Sequence, residues 1–202
     1  GVSLFALPFH GPRGHAFPPE WPQQDTAFTI EGFRQAIWDL QTAIRAMREA
    51  GASQVGVVGM SLGGYTASLL ATVTSDVDFV ISYIPICSVP DVMNDNDLVP
   101  GSGDIQRRLY EGYRDQLVPI TPVCRKPTVE PKRISIISGE FDRLATKQHG
   151  TRLAEHFGTE LLTFPGGHIV QNRRAQAFRE ALEGFQDRGV LPRRGWLGRK
   201  KR

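Results

Sequence analysis

Five short apolar runs punctuate the chain, at residues 2–7, 55–58, 79–86, 134–137 and 161–164, and none alternates strictly between apolar and polar. Runs of this kind are buried on both faces, as in a parallel sheet covered by helices. The stretches between them carry a helical period. Phe33, Ile37, Leu40, Ile44 and Met47 recur at steps of four and three, with Thr29 placed to cap the helix and Gly51 to end it in a left-handed conformation. Further helices are expected at 62–72, 105–116, 146–156 and 172–185, the last with Phe178, Leu182 and Phe185 on one face. Strands alternating with helices predict an α/β fold, a doubly wound and mainly parallel sheet. The 202 residues are enough for one domain with a sizeable core, and 40% hydrophobic against 22% charged is ordinary for a globular chain.

Residues 88–132 break the rhythm. They are rich in Pro, Asp and Asn and hold one expected helix, so they are read as a lid-like insertion within a domain spanning 1–190. A basic tail, 191–202, follows, with Arg193, Arg194, Arg199, Lys200, Lys201 and Arg202 crowded together. The net charge is only +3 and no basic stripe lies elsewhere. The tail is therefore read as solvated, and no nucleic-acid partner is expected. No apolar run approaches the roughly eighteen residues of a membrane span. Residues 1–8 are too short for a secretory signal and lack its basic leader, which makes a cytoplasmic location the expectation. Cys87 and Cys124 form neither a disulfide scaffold nor a zinc-ligand spacing. Asn94-Asp95-Asn96-Asp97 lacks the Gly and closing Glu of a calcium loop and is read as a polar loop. No metal or organic cofactor is expected.

Gly59-Met60-Ser61-Leu62-Gly63 fits G-x-S-x-G, with Gly64 following. The motif leaves one expected strand and opens an expected helix, the context of a nucleophile elbow. The chain must reverse sharply there, so Ser61 is expected in a strained conformation, with side chains at Gly59 and Gly63 expected to clash. A hydroxyl needs a neighbouring base to lose its proton. His168, in Phe164-Pro165-Gly166-Gly167-His168, follows the last strand, and Gly166 and Gly167 let that loop fold back over the elbow. His10 and His15 lie in the first loop and are candidate pocket residues, as is Met60. His149 and His156 are read as surface residues. The imidazole needs an orienting carboxylate. Asp142, after the fourth run, gives the order Ser, Asp, His, with Glu140 and Asp91 as competitors.

This set of motifs resembles the α/β-hydrolase superfamily over nearly the whole chain. The resemblance implies that Ser61 attacks, His168 acts as general base and then acid, Asp142 orients His168, and the backbone N–H of Leu62 donates to the oxyanion. The family's second oxyanion donor comes from a His-Gly loop followed by a helix, a strand and a helix before the elbow. Only one helix and no strand lie between Gly11 and Val55, so His10-Gly11 is not that loop. The chain is expected to lack the N-terminal strands of the fold and to be a piece of a longer protein. Loss of one such donor costs about 3–4 kcal/mol of transition-state stabilisation. Pro8-Phe9-His10-Gly11-Pro12-Arg13 also resembles a stretch of the α/β-hydrolase domain-containing protein 18 group. The expected activity is that of a serine hydrolase cleaving an ester, thioester or amide of a small acyl substrate. The alternative is a hydrolase-fold protein that binds without catalysis.

Overall fold

The computed structural model describes residues 1–14 and 21–193. His15 and the basic tail beyond Arg193 lie outside the described residues. The elements run α1 (Thr26–Glu49), β1 (Gly56–Met60), α2 (Leu62–Leu70), β2 (Phe79–Tyr83), α3 (Val89–Asp95), α4 (Gly103–Leu117), β3 (Ile134–Gly139), α5 (Lys147–Phe157), β4 (Leu161–Phe164) and α6 (Arg174–Asp187). The four strands are all parallel and lie in the order β1-β2-β3-β4.

Each crossover steps to the next strand in the same direction. Right-handed connections of that kind place their helices on one face of the sheet. On that face Val80, Ile134 and Ile136 pack with Ile37 and Ile44 of α1, Leu69 and Leu70 of α2, and Leu153 and Phe157 of α5. The other face belongs to α6, whose Ala177, Ala181 and Phe185 cover Ile81, Tyr83, Ile137 and Phe164. Helices thus lie on both faces of the sheet. α6 does not reach β1, and there Val58 and Met60 each stay 54% exposed.

Asp25, and not Thr29, caps α1: its Oδ1 accepts from the Phe28 N–H at 3.0 Å. Thr29 is buried one turn later, where its hydroxyl donates to the Gln23 carbonyl at 2.8 Å and accepts from the Gln23 N–H at 3.0 Å. The helix starts earlier because Thr26 and Ala27 continue it back to a better cap. Gly51, past its end, has φ +90°. The helix is held by a chain of rings, Trp21 to Phe33 at 4.3 Å and Phe33 to Tyr65 at 4.8 Å. The Tyr65 hydroxyl donates to the Ile120 carbonyl at 2.7 Å, tying α2 to the insertion.

Residues 2–7 are not a strand, contrary to the expectation from their apolar run, and Val2 and Leu4 are almost fully exposed. The chain that follows is tethered to α1, through the Phe9–Phe28 ring pair at 4.8 Å and the Arg13–Asp39 ion pair at 2.7 Å. Among the described residues the run has no ladder partner, and an apolar segment with no ladder does not become a strand. Within 88–132 the structure adds α3, capped by the Ser88 hydroxyl accepting from the Asp91 N–H. α4 packs on α3 and α1, and the short 3-10 turns after it pack on α1, α2 and α5. No helix among the described residues is long and apolar enough to cross a membrane.

Candidate active site

β1 ends at Met60 and α2 begins at Leu62, so one residue must make the whole reversal. Ser61 does so at φ 53° and ψ −116°, a sparsely populated conformation that costs on the order of 1–3 kcal/mol. Its N–H donates to the Tyr83 carbonyl at 2.9 Å, and its carbonyl accepts from the Tyr65 N–H at 2.9 Å. The two motif glycines are not equivalent, which corrects the expected clash on both sides of Ser61. A Cβ on Gly59 would lie 2.0 Å from the Gly63 carbonyl oxygen, whereas a Cβ on Gly63 would meet nothing within 4 Å. The turn is tight because Gly59 lets α2 close onto β1. The first N–H groups of α2, that of Leu62 among them, have no intrahelical carbonyl to bond, and they sit at the positive end of the helix beside the hydroxyl.

The loop after β4 carries His168 to this turn. The Phe141 N–H donates to the Gly166 carbonyl at 3.0 Å, fastening the β4 loop to the β3 loop. A Cβ on Gly167 would lie 3.0 Å from the Phe141 carbonyl, so the close approach needs its missing side chain. His168 Nε2 lies 2.9 Å from Ser61 Oγ, and its Nδ1 lies 2.8 Å from Asp142 Oδ2. The carboxylate beside Nδ1 places the ring proton there and leaves Nε2 to accept from the serine hydroxyl. Asp142 has a fully buried side chain, and its Oδ1 accepts from the N–H groups of Leu144 and Ala145, both at 2.9 Å. The other carboxylates have other partners. Glu140 accepts from Thr163 at the surface, and Asp91 accepts from Arg152 and Tyr110.

Met60 borders the array, its Sδ 3.8 Å from Gln171 Nε2. His10 does not join it: its Nδ1 is 2.9 Å from the Pro8 carbonyl and its ring stands edge-on to Trp21 at 6.0 Å. His149 is buried, not a surface residue, because it sits on the inward face of α5, where its Nδ1 accepts from the Cys87 N–H at 3.2 Å. Burial holds its imidazole below the ordinary histidine range, and pushes the Cys87 thiol up to about 12. Cys87 and Cys124 are both free. Among the described residues no group of three His, Cys, Asp or Glu side chains is placed to hold a metal ion.

Two residues escaped the reading of motifs. Gln171 donates from Nε2 to the His168 carbonyl at 2.7 Å, and Tyr83 donates from its hydroxyl to Gln171 Oε1 at 3.2 Å. Neither carries a sequence signal, since Tyr83 reads as a core strand residue and Gln171 as a polar loop residue.

No protein-family model matches the chain. It is 31% identical over 197 residues to uncharacterised proteins from two strains of Mycobacterium tuberculosis; the match takes in 94% of this chain and 47% of each relative. The chain therefore spans about half the length of the curated relatives it matches. Among solved structures, acetyl xylan esterase 1 from Thermoanaerobacterium superposes with a TM-score of 0.57 at 19% identity, over 91% of this chain and 59% of the esterase. A puromycin-hydrolysing peptidase from Mycobacterium tuberculosis superposes with a TM-score of 0.55 at 17% identity, over 75% of this chain and 25% of the peptidase. With its parallel sheet and its serine on the turn between β1 and α2, this chain is an α/β-hydrolase-fold protein.

Proposed function

We propose that this protein is a serine hydrolase that cleaves a carboxylic ester of a small acyl substrate through an acyl-enzyme. One observation carries the reading: a single imidazole bridges the Ser61 hydroxyl at 2.9 Å and the Asp142 carboxylate at 2.8 Å. Ser61 Oγ attacks the carbonyl carbon while His168 Nε2 takes its proton. The imidazolium so formed is held by Asp142 through Nδ1–H, and the carbonyl oxygen, now an oxyanion, accepts from the Leu62 N–H. His168 then returns the proton to the departing alcohol oxygen as the C–O bond breaks. Water repeats the sequence on the acyl-enzyme and frees the acid. An ester is preferred to an amide because an alcohol oxygen leaves with less help from the site than an amine nitrogen. The structures of the same fold include an acetyl xylan esterase and a puromycin-hydrolysing peptidase, in keeping with cleavage of an acyl bond. Residues 88–132 are assigned the role of shaping substrate access. Asn96 donates to the Leu144 carbonyl at 3.2 Å, and this joins the insertion to the Asp142 loop.

Labelling with a fluorophosphonate probe, alongside hydrolysis of a short-chain nitrophenyl ester, tests the assignment. Wild type is expected to label and Ser61→Ala to remain unlabelled. His168→Ala is expected to lose activity by a factor on the order of 10⁴–10⁶ with its melting temperature unchanged. Equal labelling of wild type and Ser61→Ala would refute the role given to Ser61.

A further inference from the structure

Tyr83 meets the site at both of its ends. Its backbone carbonyl accepts from the Ser61 N–H at 2.9 Å, and its side-chain hydroxyl donates to Gln171 Oε1 at 3.2 Å. Gln171 Nε2 in turn donates to the His168 carbonyl at 2.7 Å, and His168 Nε2 closes on Ser61 Oγ at 2.9 Å. The four residues thus form a closed circuit, Ser61 to Tyr83 to Gln171 to His168 and back to Ser61. The Tyr83 ring is fixed in place, stacked on Phe164 at 5.3 Å and against Phe178 at 4.8 Å. Burial pushes its phenol up to about 12, so the hydroxyl stays a donor across the neutral range. Arg174 Nη1 lies 3.3 Å from Gln171 Oε1 and adds a second donor there.

From this circuit we infer that Gln171 and Tyr83 are positioning residues, a strut that sets the distance between the His168 imidazole and the Ser61 hydroxyl. The inference rests on the hydrolase reading of the same site. The strut is needed because the His168 loop stands on a turn rich in glycine. Its backbone fastenings include the Phe141–Gly166 bond and, both at 2.8 Å, the bonds from the Gly166 N–H to the Phe164 carbonyl and from the Gly167 N–H to the Val170 carbonyl, and none of these touches His168 itself. Among the described residues Gln171 alone grips the His168 peptide, and it draws its own orientation from a ring locked in the core. Small displacements of a base from its nucleophile are costly in rate, since proton transfer demands hydrogen-bond distance.

The test compares wild type, Gln171→Leu, Gln171→Glu and Tyr83→Phe in the full chain. Gln171→Leu removes the donor to His168, and Gln171→Glu keeps an acceptor for Tyr83 but also loses that donor. Both are expected to lower kcat by about fivefold or more with KM unchanged. Tyr83→Phe is expected to give a smaller loss, and none at all once Gln171 is already Leu. Nitrogen-15 spectra of the imidazole report the geometry without turnover. The His168 ring is expected to stay protonated at Nδ1 beside Asp142 in both proteins, and its Nε2 resonance to shift in Gln171→Leu as the hydrogen bond from Ser61 Oγ weakens. Thermal unfolding is expected to be unchanged. A wild-type rate or a wild-type Nε2 resonance in Gln171→Leu would overturn the strut while leaving the hydrolase reading standing. Failure of wild type to label at Ser61, with the Nε2 resonance also unaffected by Gln171→Leu, would overturn both.

Discussion

Within the turn, Gly59 and Gly63 occupy matching places in the motif and have opposite surroundings. Gly59 faces the Gly63 carbonyl at 2.0 Å from its would-be Cβ, whereas Gly63 faces open space. Gly59→Ala is expected to cost about 3 kcal/mol or more, or to prevent folding, because backbone and not a flexible side chain blocks the methyl group. Gly63→Ala is expected to leave stability unchanged or to raise it by about 0.5–1 kcal/mol, since it adds helix propensity at the start of α2. Denaturant unfolding of the two variants decides the matter, and equal losses would mean that the motif constrains both positions alike. A motif fixes which positions are glycine but does not say which atom each one makes room for. Ser61, Asp142 and His168 could be picked out because each follows an apolar run and the three come in a telling order. Gln171 and Tyr83 could not, because a strut is defined by what meets across the fold. The surface expectation for His149 fails for a related reason: a polar side chain on an amphipathic helix reads as exposed until a partner such as the Cys87 N–H is known.

The join between α3 and α5 depends on Asp91, which accepts from Arg152 on α5 and from Tyr110 on α4. Burial pushes the Asp91 carboxyl up, but the hydrogen bonds from Arg152 and Tyr110 outweigh it and hold the group below its ordinary range. Its folded value lies below the unfolded one, so its stabilising contribution is present above about pH 4 and is lost as pH falls through the folded value. Asp91→Asn is expected to cost about 1–2 kcal/mol at pH 7, the lower part of the range for a charged pair because Arg152 is half exposed. Its denaturant midpoint should then fall less than that of wild type between pH 5 and pH 3. Parallel declines would show that Asp91 is not what anchors the insertion. Nine of the ten elements named are legible as periodic or apolar segments, and their boundaries differ by a residue or a few. α3 has no legible signal because seven residues led by Ser88 and containing Pro90 show no period. Residues 2–7 differ from the expectation because apolar character alone does not make a strand, and among the described residues the run has no neighbour to form a ladder with.

Across the whole molecule the sheet is unevenly clothed. The side of β1 that α6 does not reach leaves Val58 and Met60 open, and the outer edge of β1 has no strand beside it among the described residues. Exposed apolar strand edges promote self-association. Val58→Lys is expected to lower the binding of an apolar dye and to raise the soluble fraction, with stability changed by no more than about 0.5 kcal/mol. Dye fluorescence that stays at the wild-type level would place the exposed apolar surface elsewhere. The match of strand order to chain order has a consequence for assembly of the site. β2, β3 and β4 each pair with the strand just before them in the sequence, so these pairings join near neighbours along the chain. The serine turn is tied down as soon as β2 docks, through the Ser61 N–H on the Tyr83 carbonyl, whereas its base arrives only with the loop after β4, 107 residues downstream.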